Sequence, residues 1–300
     1  MKKILVSIAS VALLGTIAFA SSCGPVQIST ESYSLHDFID MFIEEKQFEG
    51  DGILRTYYLD VGQGDSEFIE FPDGRTMLID ASEAEYADDI EDFIEDRGVS
   101  KIDYIVITHP HSDHYGGMND IIQSFDIGEI YMPDATNNAK GFERLLLTID
   151  QKDIPIVQTK AGLRIGGSDG LSIDFLAPNS SQYSEINNYS AVLKITYGNT
   201  SFLYMGDAEK LSENEIKADV KCDVIKVGHH GSKTSSGEDF VNKTSPEYAV
   251  ISVGEDNQYG LPDQEIIERW ERSGANVLRT DIDGTIAFES DGNDIKRIEP

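Results

Sequence analysis

The chain has 300 residues, of which 24 are Lys or Arg and 54 are Asp or Glu, so its formal net charge is −30. Because 40% of the residues are hydrophobic and 9% are aromatic, the chain can bury a core, which excludes a wholly disordered protein. Two cysteines are too few for a disulfide framework or a Cys-rich metal site. The acidic balance also argues against binding nucleic acid through a broad basic face.

The first 22 residues have the composition of a secretory signal peptide, with Lys2 and Lys3 before an apolar run over residues 4–20. The sequence Ser-Ser-Cys-Gly that follows resembles the site at which bacterial lipoproteins are cleaved and lipidated, here at Cys23. An ordinary cleaved signal with an incidental cysteine is the alternative. We expect an extracytoplasmic lipoprotein anchored in the membrane through a lipid on Cys23, with residues 23–33 as a polar tether.

A helix is predicted over residues 34–50, and a strand-rich domain follows over residues 51–300. Continuous or alternating apolar runs predict strands at 53–60, 66–71, 76–80, 102–108, 171–176, 191–197, 201–205, 223–227, 248–253, 277–279 and 285–288. Helical spacing predicts helices at 87–94, on both sides of a strand between 109 and 152, and at 209–217, 238–243 and 263–272. Two successive halves of strands followed by helices predict an α/β domain with two facing sheets and helices outside.

Five of the six histidines lie in two short segments, three within six residues and two adjacent to each other. In the first segment, His109 and His111 are two residues apart, so in an extended chain they point to the same side. Asp113 and His114 follow at the turn into a helix, where they can face a neighbouring point. Three imidazoles and a carboxylate this close favour a site for divalent transition metals.

The segment His109-x-His111-x-Asp113-His114 resembles the signature of the metallo-β-lactamase superfamily. The superfamily's other segments are matched by Leu-Ile-Asp-Ala at 78–81, Tyr-Met-Gly-Asp at 204–207 and Val-Gly-His-His-Gly-Ser at 227–232. Within the superfamily, Leu-Asp-Val-Gly-Gln-Gly-Asp-Ser at 59–66 and the His-His-Gly-Ser segment resemble ComEC-type competence proteins. The resemblance covers roughly residues 52–290 and implies a four-layer αββα fold with two mixed sheets. Unlike ComEC itself, the chain has no further apolar stretch long enough to form a membrane channel. We therefore expect it to contain the hydrolase domain alone.

The resemblance implies a site for two divalent metal ions, zinc or manganese. It assigns His109 and His111 to the first ion, Asp113, His114 and His229 to the second, and Asp207 to both. Asp80 would orient one of these ligands by a hydrogen bond. The place of His230 stays open: it would replace His229 as a ligand, contact substrate or donate a proton.

Three further features of this site follow from the sequence. No histidine lies between His114 and His229, so the superfamily's third-motif histidine is missing, and an asparagine amide or a water would complete the first metal site. Such a hard ligand weakens zinc binding and favours manganese or magnesium there. Ser232 and Lys233 offer donors suited to phosphate, or form a solvated loop. Asp207 could instead cap the helix predicted at 209–217.

These residues predict a metal-dependent hydrolase of phosphodiester bonds, acting on DNA, RNA or smaller molecules. Two cations about 3.5–4 Å apart can hold a bridging hydroxide that attacks phosphorus in line. The predicted catalytic residues are Asp113, Asp207 and His230, and Asp113 or His230 would protonate the leaving oxygen. The alternatives are a hydrolase that attacks carbonyl groups, of the lactonase or β-lactamase type, and a non-enzymatic surface lipoprotein that binds metal. The sequence gives no basis for inferring a protein partner.

Overall fold

The computed structural model describes residues 50–167 and 170–300. The predicted signal peptide, the lipid-carrying Cys23, the tether and the helix expected before residue 50 lie outside the described residues. Within the described ranges, no helix combines the length and the apolar composition needed to cross a membrane.

The strands agree closely with the apolar runs of the sequence. In chain order they are β1 (Leu54–Tyr58), β2 (Glu67–Glu70), β3 (Thr76–Ile79), β4 (Lys101–Val106), β5 (Asp126–Met132), β6 (Ile156–Gln158), β7 (Arg164–Ile165), β8 (Leu171–Phe175), β9 (Leu193–Tyr197), β10 (Thr200–Tyr204), β11 (Val224–Lys226), β12 (Tyr248–Ile251), β13 (Asn276–Arg279), β14 (Ile286–Ser290) and β15 (Ile295–Ile298). The sequence did not predict β6, β7 and β15, because these strands are short and expose most or half of their residues.

The α-helices are likewise short. They are α1 (Ala87–Glu95), α2 (Ser112–Tyr115), α3 (Met118–Ser124), α4 (Lys140–Gln151), α5 (Lys210–Glu215), α6 (Glu238–Thr244), α7 (Gln264–Arg272) and α8 (Thr280–Asp283). The helix predicted at 209–217 is therefore only six residues long. Its N-cap is Glu209, so Asp207 does not cap it and is free for another role.

The strands form two mixed sheets, as the resemblance implied. The first sheet has the order β15-β14-β1-β2-β3-β4-β5-β6, and its strands from β3 to β6 are parallel. The second sheet has the order β13-β12-β11-β10-β9-β8-β7, and its strands from β10 to β13 are parallel. The short connections after the parallel strands therefore emerge at the carboxyl ends of both sheets.

Three hydrophobic clusters separate four layers. A central cluster holds residues of both sheets, including Tyr58, Phe71, Phe175 and Phe202. A second cluster packs α1, α3 and α4 on the outer face of the first sheet, and a third packs α6 and α7, with the buried Trp270, on the second sheet. The arrangement is the predicted four-layer αββα fold, in which each sheet buries both of its faces.

Candidate metal centre

The carboxyl ends of four strands, two from each sheet, carry most of the predicted site residues. Asp80 directly follows β3, and His109 comes three residues after β4. Asp207 follows β10, and the adjacent His229 and His230 follow β11. Because β3 and β4 are parallel neighbours, as are β10 and β11, each pair of strands delivers its loops to the same edge of its sheet.

The first group of side chains consists of His109, His111 and Asp207, whose ligand atoms lie within 4.8 Å of one another. The Nε2 of His109 is 2.9 Å from the Nδ1 of His111 and 3.6 Å from the Oδ2 of Asp207. His109 and Asp207 are buried, whereas His111 is half-buried. Two imidazoles and a carboxylate form a ligand set that suits zinc and related divalent metals.

The second group consists of Asp113, His114, Asp207 and His230, again with ligand atoms within 4.8 Å of one another. The Oδ1 of Asp207 is 3.3 Å from the Nε2 of His114 and 3.4 Å from the Nε2 of His230. The Oδ2 of Asp113 is 3.5 Å from the Nε2 of His230. Since Asp207 directs Oδ2 to the first group and Oδ1 to the second, one carboxylate joins both groups.

Three buried atoms of the second group have no hydrogen-bond partner: the Nε2 of His114, the Nε2 of His230 and the Oδ1 of Asp207. Leaving a buried polar atom unpaired costs about 1–3 kcal/mol. Both imidazole atoms lie within 3.4 Å of the carboxylate oxygen, so one cation between them could satisfy all three. The residues present therefore fit a divalent metal ion.

Hydrogen bonds at the Nδ1 atoms of His114 and His230 leave the Nε2 atoms of both rings free to bind a metal ion. The Nδ1 of His114 donates to the Oδ2 of Asp80 at 2.7 Å, and the Nδ1 of His230 donates to the main-chain carbonyl of Ser252 at 3.0 Å. Asp80 is held in turn by the amide and the hydroxyl of Thr108, at 2.8 and 2.6 Å. Asp80 thus lies where outer carboxylates orient histidine ligands in metal sites.

Carboxylates and imidazoles of the centre stabilise each other's charged forms. Burial opposes the effect, yet Asp207 and Asp65 raise the pKa of His230 to about 10. Burial likewise opposes a charged Asp207, but His114 and His230 hold the pKa of this carboxyl well below its usual value. A metal ion entering the second group therefore has to displace protons from its imidazoles, as is general for histidine ligands.

His229 and His230 lie in the 3₁₀ turn Gly228–Gly231 and have left-handed backbone conformations, with φ of 53° and 51°. Such conformations cost on the order of 1–3 kcal/mol at residues other than glycine. They turn the adjacent rings to different sides, so His230 is buried and His229 is half-buried on the cleft wall. The structure therefore groups His230, and not His229, with Asp113 and His114. The Nε2 of His229 lies 3.6 Å from the Oδ2 of Asp207.

Asn187 lies beside the first group, in the region where the missing histidine was expected. It belongs to the 3₁₀ turn Ile186–Tyr189. Its amide nitrogen is 3.3 Å from the Nε2 of His229, and its Oδ1 is buried without a hydrogen-bond partner. An amide oxygen is a hard, weak ligand, so Asn187 could complete the first group only weakly.

Ser232 and Lys233 lie in the loop that follows His230. Ser232 is buried, and its hydroxyl lies 3.2 Å from the Oγ1 of Thr234. Lys233 is exposed, and its amide donates to Asp263 at 2.8 Å. The phosphate contacts expected of these two residues stay a prediction.

The loop that follows His230 is anchored by Glu213, a buried carboxyl group. Its oxygens accept hydrogen bonds from the amides of Ser236 (2.5 Å) and Gly237 (2.9 Å). Burial nevertheless raises the pKa of Glu213 from 4.5 to about 7. Between these values the folded protein keeps a proton that the unfolded chain has lost, so the free energy of unfolding falls as pH rises.

We expect Glu213→Gln to remove a pH dependence of up to about 1.4 kcal/mol per pH unit between pH 4.5 and 7. The measurement is the melting temperature of the variant and the wild type across this range. Glu238→Gln, which changes an exposed carboxylate in the next helix, should keep the wild-type profile. An unchanged profile in Glu213→Gln would show that another group causes the dependence.

The two groups open into a cleft of about 400 Å³. Polar and aromatic side chains line it, among them Gln63, Tyr115, Asn137, Asn187, His229 and Tyr259. A larger cleft of about 730 Å³ adjoins it, shares Gln63, Asp113 and Tyr259, and is lined by the carboxylates of Asp60, Glu83, Glu85 and Glu255. Negative charge therefore flanks the metal groups on this side and disfavours the approach of a polyanion.

Four residues around the centre received no role from the sequence: Thr108, Ser190, Asp65 and Lys226. The hydroxyl of Ser190 accepts the amide of Asp207 at 3.0 Å and lies 3.4 Å from the Nδ1 of His109. Asp65 belongs to the ComEC-like segment at 59–66, which was a usable signal. Lys226 ends an otherwise apolar strand, and a charged residue in that position is a second, weaker signal.

Gly206 fixes the position of Asp207, the carboxylate that belongs to both groups. Its φ is +50°, and a Cβ there would lie 2.9 Å from the Cβ of Thr108. We expect Gly206→Ala to cost about 1–3 kcal/mol of stability and to weaken metal binding, because Asp207 and Thr108 must move apart. Thermal melting and chelator competition measure the two effects. Gly162→Ala changes a glycine at φ +86° in open space and should leave metal affinity unchanged. An equal loss of metal affinity in both variants would refute the local explanation.

A four-layer αββα domain with histidine and aspartate side chains grouped at its strand ends is typical of a class of metal-dependent hydrolases. The family model of the metallo-beta-lactamase superfamily matches residues 59–255. The chain belongs to this superfamily.

Similar proteins of known sequence support the finer resemblance. The chain is 30% identical over 250 residues to ComE operon protein 3 of Bacillus subtilis, a match that covers 77% of this chain and 32% of that protein. It is 30% identical over 236 residues to Recombination protein 2 of Haemophilus influenzae, covering 76% of this chain and 28% of that protein. The resemblance to ComEC-type competence proteins is thus confirmed, although the chain spans only about a third of its relatives' length.

A solved structure gives independent support for the fold. The metallo-beta-lactamase fold protein YhfI from Bacillus subtilis has a TM-score of 0.53 and 10% sequence identity to this chain. The match covers 79% of this chain and 100% of YhfI. The predicted αββα fold is therefore confirmed.

Proposed function

We propose that this chain is a metal-dependent phosphodiesterase that cleaves single nucleic-acid strands or smaller phosphodiesters. The observation that carries the proposal is the joining of two ligand groups by the single carboxylate of Asp207. Two ions bound in this way would supply a nucleophile at neutral pH and clamp the attacking and leaving oxygens of a phosphodiester. Relatives named as competence and recombination proteins support nucleic acid as the substrate.

The ligand roles follow from burial and distance. His109, His111 and Asp207 would hold one ion, with Asn187 as a weak additional ligand. Asp113, His114, His230 and Asp207 would hold the other. Because the amide oxygen of Asn187 is a hard, weak ligand, the first group favours manganese over zinc. The expected lipid on Cys23 would place the enzyme at the outer side of a membrane.

His229 is the proposed proton donor and phosphate contact. Its ring is half-buried on the cleft wall, and its Nδ1 is fixed by the hydroxyl of Thr234 at 2.9 Å. The Nε2, which lies 3.3 Å from the amide nitrogen of Asn187, would exchange this contact for one with a bound phosphate. Asp113 suits this role less well: burial opposes its charged form, but His114 and His230 hold the pKa of Asp113 well below its usual value, so it stays ionised.

The acidic neighbouring cleft favours a single nucleic-acid strand over a duplex as the substrate. A duplex lying across the centre would run along the carboxylates of Asp60, Glu83, Glu85 and Glu255, whereas a single strand can approach from the side of His229 and Asn187. Tyr259 is 64% exposed and borders both clefts. An exposed ring in this position can stack on an unpaired base, as in other proteins that bind single strands.

The test is hydrolysis by the full chain loaded with manganese, zinc or magnesium. Single-stranded DNA, single-stranded RNA, duplex DNA and a small aryl phosphodiester are compared with nitrocefin and a lactone. We expect metal-stimulated cleavage of the single strand and of the small diester, slower cleavage of the duplex, and none by Asp207→Asn. Turnover of nitrocefin or the lactone alone would assign the site to carbonyl chemistry. No turnover of any substrate by a metal-loaded protein would leave a metal-binding protein without enzymatic activity.

A further inference from the structure

We propose that Lys226 is a positioning residue of the metal centre, which acts through Asp65 on His230 and His114. The inference rests on the metal centre of the proposed function but not on its substrate. It concerns a buried ion pair between the two sheets, directly behind the second ligand group.

Lys226 has no contact with solvent. It is the last residue of β11 in the second sheet, and its side chain is fully buried. Its Nζ donates to the Oδ2 of Asp65 at 2.6 Å and to the carbonyl of Val227 at 3.2 Å. A buried ammonium costs several kcal/mol unless it is paired, so Lys226 is held in this place by its partner. Asp65 comes from the loop before β2 in the other sheet, so the pair connects the sheets.

Asp65 reaches the rear of both buried histidines. Its Oδ1 is 3.2 Å from the Nδ1 of His230, and its Oδ2 is 3.9 Å from the Nδ1 of His114. The Nε2 atoms on the opposite side of these rings are the ones that face Asp207. Asp65 therefore lies against the Nδ1 side of two proposed ligands, beside Ser252 and Asp80, which accept their hydrogen bonds.

Lys226 also affects which sets of side chains can bind a cation. Asp65, Asp80 and His114 form a third set of ligand atoms within 4.8 Å of one another. The Nδ1 of His114 is already engaged by Asp80, and the Oδ2 of Asp65 is engaged by Lys226. The ammonium of Lys226 thus takes the place of a bound cation beside Asp65 and keeps Asp65 behind the histidines. The second group stays available to a metal ion.

A second buried carboxyl group lies close to the ion pair. Glu67 is buried on β2, and its Oε1 has no hydrogen-bond partner. Burial alone would lower the pKa of Lys226, but Asp65 and Glu67 raise it overall. Asp65 therefore favours the charged form of Lys226 in the folded chain.

The experiment measures zinc affinity and stoichiometry of the full chain by competition with a chromogenic chelator, without any substrate. The variants are Lys226→Met and the double variant Lys226→Met/Asp65→Asn, in which no unpaired charge is left buried. We expect both to bind zinc 10- to 100-fold more weakly, the usual effect of losing an outer partner of a metal ligand. The matched control is Lys194→Met/Asp219→Asn, which removes a peripheral ion pair on the second sheet (3.4 Å) and should bind zinc as the wild type does.

Circular dichroism and thermal melting show whether each variant folds. A folded double variant with wild-type zinc affinity would overturn the proposal, because the pair would then only stabilise the fold. A double variant that fails to fold even with zinc would overturn it as well, since the pair would be a requirement of folding. A comparable loss in the control would also contradict a local role. None of these outcomes depends on whether phosphodiesters are hydrolysed.

Discussion

Asp207→Asn is expected to abolish metal-dependent hydrolysis, with a loss of at least about 10³-fold, or about 4 kcal/mol of transition-state stabilisation. The reason is that Asp207 belongs to both ligand groups, with Oδ2 beside His109 and Oδ1 beside His114. The fold should persist, because the asparagine keeps the shape and the main-chain hydrogen bond to Ser190. Steady-state kinetics and metal analysis of the purified variant are the measurements.

Metal-induced stabilisation separates this effect from a folding defect. The wild type should melt at a higher temperature with excess manganese or zinc, because an ion that binds only the folded state stabilises it. Asp207→Asn should lose most of this shift while the metal-free melting temperature changes by only a few degrees. Asp219→Asn, a carboxylate outside the cleft, should keep both the shift and the activity. Near-normal turnover in Asp207→Asn would remove this residue from the mechanism.

His230→Ala and His229→Ala are expected to fail in different ways. His230 is buried, and its Nε2 lies 3.4 Å from the shared carboxylate, so His230→Ala should lose one bound metal ion and at least about 10³-fold in activity. His229 is half-buried on the cleft wall, so His229→Ala should keep the wild-type metal content. It should lose about 10²- to 10⁴-fold in kcat, the usual contribution of a general acid.

Metal content and the leaving group distinguish these roles. A substrate with a good leaving group, such as an aryl phosphodiester, needs little protonation, so it should partly rescue His229→Ala but not His230→Ala. If His229→Ala loses a metal ion and His230→Ala keeps both, the two histidines have the opposite roles. Each of these two histidine variants thereby serves as the matched control for the other.

The sequence predicted the layers of the fold because the information lies in local patterns. Apolar runs marked the central strands, and helical spacing marked α1, α6 and α7 well. The strands that it missed were β6, β7 and β15, whose exposed residues give no alternation to detect. The cluster around His109 was predictable for the same local reason, since its members lie within six residues of one another.

The rest of the site depends on long-range geometry. Nothing local indicates that His229 and His230 both have positive φ, and this is what buries the second ring and exposes the first. The contact of Lys226 with Asp65 joins residues 161 positions apart, across two sheets. Lys233 is close in sequence to His230 and its amide donates to Asp263, and its contact with phosphate stays a prediction.

The carboxylates beside the metal groups have a consequence for the dependence of activity on ionic strength. Proteins that hold nucleic acid with basic residues bind more weakly as salt is added. Here the added ions would screen repulsion between Glu83, Glu85 or Glu255 and the substrate, over a Debye length of about 10 Å at 0.1 M. The KM for an oligonucleotide should therefore fall between low and moderate salt, whereas the KM for a small diester should change little.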